Sequence, residues 1–334
     1  MSYGGIRTTA AARLRALNAE RQSARLIETL RPEVLPAGSA YRRLSAQHGV
    51  IVFTVDSMPG QIVRAALDDE ARASIRRHCQ VLLDLHDDPR CQNLEPLLPA
   101  IIHAHPDGLW LVESTAPGEP GMALRKRLGS NRPTPASAVG ALARLHRDTA
   151  EESVANADEV DAWVGEPLRL LRTIVRTASG ARGLEAVQQY LMRELIGRSV
   201  TVSRIHGDAT LGNFLFSADG ERVTGIIDWE ASHRGLPDVD VAHYLLTERS
   251  STKRYELGDN AADLLRYGWA SIERAVLAAY GHNSELPPEA IVLLAWLHHI
   301  RNNLRKSARY ARHRWWVHSN VNGVLRAVAE ERLI

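Results

Sequence analysis

The chain has 334 residues, 45% of them hydrophobic and 24% charged. Those proportions exclude a disordered or fibrous chain and leave room for one large two-lobed unit or two domains, at about 100–200 residues per domain. Forty-one basic against thirty-nine acidic side chains give a net charge of +2, which excludes a nucleic-acid binder that works through bulk charge.

The basic residues are 38 Arg and only 3 Lys, at Lys126, Lys253 and Lys306. A position where chemistry asks for Lys can therefore carry Arg in this chain. Cys79 and Cys91 stand twelve positions apart with no CxxC pair. That usage points to reduced thiols and a cytoplasmic protein. The longest apolar run, residues 290–297, is far shorter than the roughly 20 residues that span a bilayer. The first residues, MSYGGIRTTAAARLRALNAERQ, lack the apolar core of a secretory signal.

In chain order, apolar residues recur at helical spacing over residues 8–30, and the prolines and glycine of 31–39 break the pattern. Residues 1–39 thus read as a helical extension. Two β-rich runs, 50–55 and 61–67, flank Asp56-Ser57-Met58-Pro59-Gly60 and predict a hairpin. Asp68 caps a helix from Asp69, with Ile75, Cys79, Leu82 and Leu83 on one side. A strand over 109–113 ends in Ser114-Thr115-Ala116-Pro117-Gly118. Helices follow, clearest at 139–148 and 184–196, and β structure returns only over 202–228. The expected layout is a strand-rich lobe over 40–115 and a larger, mainly helical lobe over 116–334, an α+β fold.

The chemistry concentrates in Arg204-Ile205-His206-Gly207-Asp208-Ala209-Thr210-Leu211-Gly212-Asn213, followed by the strands 214–216 and 225–227 with turn residues 217–220 between them. Asn213 precedes the first strand and Asp228 follows the second, so an antiparallel hairpin brings both oxygen-bearing side chains to its open end. Such a pair suits Mg²⁺, which takes one or two protein oxygens and completes its shell with phosphate and water. Asp208, five residues before Asn213 in a Gly-flanked loop, can face the same spot. A carboxylate to receive a hydroxyl proton, with ligands for a metal-bound triphosphate, is the equipment of phosphoryl transfer. His206 and Asp208 also admit a phosphohydrolase metal pair, although the hairpin has no use in that scheme.

The segment resembles the aminoglycoside phosphotransferase and choline kinase-like family, whose motifs run His-Gly-Asp, four residues, Asn, then Ile-Asp-Trp or Ile-Asp-Phe. The resemblance covers roughly residues 40–250. It implies a bilobal protein-kinase-like fold and transfer of the γ-phosphate of ATP, or GTP in some members, to a small-molecule hydroxyl. By resemblance Asp208 matches the catalytic base and His206 the histidine supporting its loop. Asn213 and Asp228 match the Mg²⁺ ligands, Asn213 facing the nucleotide as well. Residues 235–242 (GLPDVDVA) match the segment in which Asp240 braces the loop. Residues 142–146 (LARLH) match the Leu-His helix, and 111–118 the hinge, placing Ser114, Thr115 and Ala116 at the nucleotide.

The first lobe departs from the pattern. Where the family has a phosphate-binding Lys on the third strand, residues 61–67 offer Arg64, and His78 falls at the position of its acidic partner. Glu70 and Asp84 are the nearest acids on that helix, and the choice between them is open. A guanidinium is larger and forked, so the exchange is not neutral. The loop 45–49, with the single Gly49, would cover phosphates through backbone amides. The alternative reading is a nucleotide-binding pseudokinase.

The acceptor is not named by the fold. Residues 290–329 contain no Asp or Glu, while Arg301, Arg305, Lys306, Arg309, Arg312 and Arg314 gather beside Trp296, Tyr310, Trp315 and Trp316. Arg301, Arg305 and Arg309 share one helical face at four-residue spacing. A solvated basic helix accounts for this. So does an anionic or sugar acceptor, or contact with a membrane surface; a polycationic aminoglycoside and nucleic acid fit it less well.

Overall fold

The computed structural model describes residues 27–28, 30, 34–36, 38–129, 133–252, 255–281, 286–307 and 309–330. Nearly all of the helix expected over 8–30 lies outside them. The chain forms two compact units, Met1–Leu83 with Ala100–Thr115, and Asp84–Pro99 with Ala116–Ile334.

The first unit is built on β1 (Tyr41–Gln47), β2 (Val50–Val55), β3 (Gln61–Ala66), β4 (Ile101–Ala104) and β5 (Trp110–Ser114). They form one antiparallel sheet in the order β1-β2-β3-β5-β4. Alternation in β2 buries Ile51, Phe53 and Val55, which pack with Val63, Ala65 and Val112 and with Ile27, Leu30 and Leu35 of the preceding segment. The helix α1 (Asp69–Asp87) starts where Asp68 Oδ1 accepts from the Ala71 amide at 2.8 Å, the cap expected from the sequence. The loop expected over 45–49 is tighter: β1 runs through Gln47, leaving a turn of His48 and Gly49. Gly49 has φ +77°, and a β-carbon there would lie 2.5 Å from the Asp68 carboxylate, so the turn itself requires glycine.

In the second unit, β6 (Glu119–Pro120) joins β9 (Phe214–Phe216) and β10 (Val223–Ile226) in one small sheet. A second sheet sets β8 (Ser199–Ile205) between β7 (Glu151–Val154) and β11 (His233–Gly235). β7 and β11 escape sequence reading because one is polar and largely exposed and the other has three residues. Pairing with β8 forms them, not their own pattern. The helices that matter for the site are α2 (Pro135–Asp148), α3 (Ala178–Leu195), α4 (Pro237–Thr252) and α5 (Pro288–Lys306). The apolar faces of α3, α4 and α5 share one core that includes Leu184, Val187, Leu191, Ala242, Leu246, Leu293, Trp296, Leu297 and Ile300.

The basic C-terminal stripe is not a single exposed face. α5 stops at Lys306, where Ser307 turns extended, and Arg309 begins a separate short helix, Arg309–Arg312. Arg301 is buried, and Arg305 pairs with Glu166 at 2.5 Å. Trp296 and Trp316 are core residues, leaving Trp315 as the exposed indole. Among the described residues no helix is long and apolar enough to cross a membrane.

Candidate active site

The strand β8 delivers the loop His206-Gly207-Asp208, and three other elements fix its shape. From the first turn of α4, the buried Asp240 carboxylate accepts from the amides of His206 (2.8 Å) and Gly207 (3.0 Å). His146, the last-turn histidine of α2, lies 3.2 Å from Asp240 through Nε2, and its Nδ1 meets the Tyr280 hydroxyl at 2.8 Å. Burial opposes the charge on Asp240, but the bond and charge of His146, with the charge and amide of His206, hold its carboxyl far below the ordinary range. Gly207 has φ +78°, and a β-carbon would lie 2.2 Å from the Ala231 carbonyl. Only glycine passes there.

His206 is fully buried. Its Nε2 donates to the Ile227 carbonyl at 2.9 Å, and its Nδ1 faces the Asp208 amide at 3.3 Å. Both ring nitrogens are engaged inside the loop, where His206 holds the backbone of Asp208. That engagement also leaves it no lone pair for the metal pair of a phosphohydrolase.

The hairpin β9–β10 pairs Phe214 with Ile226. One step further the Ile227 amide donates to the Asn213 carbonyl at 3.0 Å, which sets Asp228 beside Asn213. Asn213 Nδ2 donates to the Asp208 carbonyl at 2.9 Å. Asp228 stands in the left-handed region at φ +66° and ψ +60°, held by the Ile227 bond on one side and by Trp229 Nε1 on the Ile226 carbonyl (2.9 Å) on the other. With its nitrogen engaged, Asn213 keeps its amide oxygen at the same end of the hairpin as Asp228. That donor set fits a hard divalent cation such as Mg²⁺.

On the far side, α5 lies along the same loop. His298 Nε2 and Asn302 Nδ2 both donate to the Gly207 carbonyl, at 2.6 and 2.7 Å, and Lys306 Nζ donates to Asp208 Oδ2 at 2.6 Å. Burial alone would raise the Asp208 carboxyl, but the Lys306 ammonium holds it below its usual value. Sequence reading missed this clamp, although the four-residue spacing of His298, Asn302 and Lys306 and the rarity of Lys are both visible in the sequence.

In the first unit, Arg64 finds neither of the acids expected for it. Its Nε donates to Glu113 Oε1 on β5 at 2.7 Å, and Glu113 Oε2 lies 2.7 Å from His78 Nε2. All three are buried. Glu70 is exposed, and Asp84 pairs with Arg204 at 3.2 Å. Glu113 was overlooked because its strand sits 49 residues from Arg64, and only the β3–β5 pairing joins them. Ser114 accepts from the Ala100 amide at 2.8 Å, and the Thr115 amide donates to the Gly60 carbonyl at 2.8 Å. Ala116 opens the second unit beside Gly225.

The sequence profile of the phosphotransferase enzyme family matches residues 7–280. The chain belongs to that family. This phosphotransferase has the protein-kinase-like fold, as its likeness to solved structures shows. The ADP-bound aminoglycoside phosphotransferase APH(2'')-Ib is 18% identical over 93% of this chain and 99% of its own, with a TM-score of 0.59. The GDP complex of aminoglycoside 2'-phosphotransferase-IIIa is 18% identical over 93% and 99%, with a TM-score of 0.57. A choline/ethanolamine kinase family protein from Mesorhizobium loti is 17% identical over 92% and 99%, with a TM-score of 0.54. No curated protein matches the phosphotransferase at a significant level.

Proposed function

We propose that this phosphotransferase moves the γ-phosphate of ATP, or of GTP, to a hydroxyl of a small molecule. The acceptor is a sugar or an anionic metabolite and not a polycationic aminoglycoside. One observation carries the reading: the Ile227 amide on the Asn213 carbonyl sets Asp228 beside Asn213 at the open end of the hairpin, and the Asn213 side-chain amide is bonded to the Asp208 backbone. Asp208 takes the proton of the acceptor hydroxyl as its oxygen forms a bond to the γ-phosphorus. The bond from that phosphorus to the bridging oxygen breaks, and the nucleoside diphosphate leaves. The Asn213 oxygen and Asp228 would hold Mg²⁺, which would offset the charge of the phosphates. Arg64, aimed by Glu113, takes the role of the phosphate-binding cation. Ser114, Thr115 and Ala116 lie along the nucleotide.

The acid-free stretch 290–329 and the ammonium on Asp208 favour acceptors that bring negative charge or none. Two free thiols at Cys79 and Cys91 fit a cytoplasmic enzyme. The test is a nucleotide-consumption screen with ATP and GTP, with and without Mg²⁺, over neutral, anionic and cationic hydroxyl compounds. Mg²⁺-dependent turnover strongest with a neutral or anionic acceptor supports the reading. A polycationic aminoglycoside emerging as the best acceptor sinks it.

A further inference from the structure

α5 approaches the catalytic loop through three residues one turn apart. His298 and Asn302 lock the Gly207 carbonyl, and Lys306 ends the row on the side chain of Asp208. The family match stops at residue 280, so this helix lies beyond the segment that defines the family. Lys306 is also an exception to the chain's own habit, being one of 3 Lys against 38 Arg. An Arg here would engage the Asp208 carboxylate with its planar fork. An ammonium has three donors spread about one atom and can hold Asp208 and a second oxygen together. The Lys306 side chain is 28% exposed and that of Asp208 25%, so a ligand can reach both. The next cation on the helix, Arg305, is already committed to Glu166, and Arg301 is buried.

We propose that Lys306 is the acceptor-selecting residue, binding a phosphate or carboxylate group that the acceptor carries close to the hydroxyl held by Asp208. This rests on the reading of Asp208 as the base. The hydroxyl meets one Asp208 oxygen, and Lys306, bonded to the other, stands within one side chain's reach of the acceptor's neighbouring substituents. A neutral acceptor leaves Lys306 on Asp208 alone; an anionic one gains a charge-assisted contact.

The three lysines make a direct test available. Protein labelled with carbon-13 at the lysine ε-carbon gives three side-chain resonances, and the one lost in Lys306→Arg is that of Lys306. The probes are glycerol, glycerol 3-phosphate and glycerate, added with Mg²⁺ and a non-hydrolysable ATP analogue. A saturable shift of the Lys306 resonance with glycerol 3-phosphate or glycerate but not with glycerol is expected, the two anions separating phosphate from carboxylate preference. In Lys306→Met, close in shape, the same anion should bind at least about tenfold more weakly, with nucleotide affinity unchanged. An equal response to glycerol, no saturable shift with either anion, or unchanged anion affinity in Lys306→Met overturns the proposal. Failure of the analogue to bind at all counts against the kinase reading instead. The Lys306 readout stays valid in that case, because it follows the ammonium and not turnover.

Discussion

Asp208 is built to act from a fixed position. Its backbone is tied by Asn213 and, through Gly207, by Asp240, His298 and Asn302, while its carboxylate meets Lys306. Asp208→Asn keeps the shape and removes the proton acceptor. Turnover with the true acceptor should fall about 10²–10⁴-fold while nucleotide binding survives, and wild-type turnover in the variant would reject the assignment. Asp228 tests the metal separately. Asp228→Ala should abolish Mg²⁺-dependent nucleotide binding in calorimetry; it also places alanine in a left-handed backbone position that aspartate tolerates better, so the circular dichroism of the fold must be checked alongside. Metal-dependent affinity equal to wild type would show that Asp228 is not a ligand. These residues were legible in the sequence because a short hairpin turns sequence neighbours into spatial neighbours. Lys306 was not, since 98 residues separate it from Asp208.

Between β3, α1 and β5 the site depends on pairing that local pattern does not reveal. Period-two alternation marks β2 and β3 as strands, and the Asp68 cap starts α1 where expected. The alternation also puts Arg64 on one face. It does not say that β5 lies next to β3, which is what delivers Glu113 to Arg64 and His78. Burial would raise the Glu113 carboxyl, but the charges of Arg64 and His78 override it and bring it down to about 2. A depressed carboxyl stabilises the fold fully above its unfolded value, 4.5, and that contribution drains away as pH falls through the folded value. Arg64→Ala leaves Glu113 buried without its guanidinium, at a cost of about 3–5 kcal/mol, read as a lower urea midpoint. Arg64→Lys keeps a cation and should retain most stability. Nucleotide affinity separates the roles: if Arg64→Lys folds well and binds ATP as wild type does, either cation serves the phosphates. If Arg64→Ala binds ATP undiminished after correction for its folded fraction, Arg64 supports the sheet and not the nucleotide.

The whole molecule carries almost no net charge, yet its second unit packs a set of ionisable rings behind the catalytic loop, His243 and His298 buried and His233 and His299 half-buried. His298 stacks on His233 and meets His243 edge-on, and His299 lies tilted against His243. Burial, first of all causes, lowers every one of them below 6.5, His299 to about 3. Asp208 and Asp240 nearby favour protonation, and Arg301 and Lys306 oppose it. The sign follows directly. The unfolded chain binds protons at these rings from about pH 6.5 downward and the folded chain only at lower pH, so stability is complete above that value and declines as pH falls below it. The loss should therefore begin well above the range in which carboxylates titrate. Urea midpoints measured between about pH 7.5 and about pH 5 decide it. A steady fall from near pH 6.5 is expected, and a flat profile down to pH 5 would mean that the four rings keep their ordinary proton affinity in the folded state, against the desolvation that lowers it.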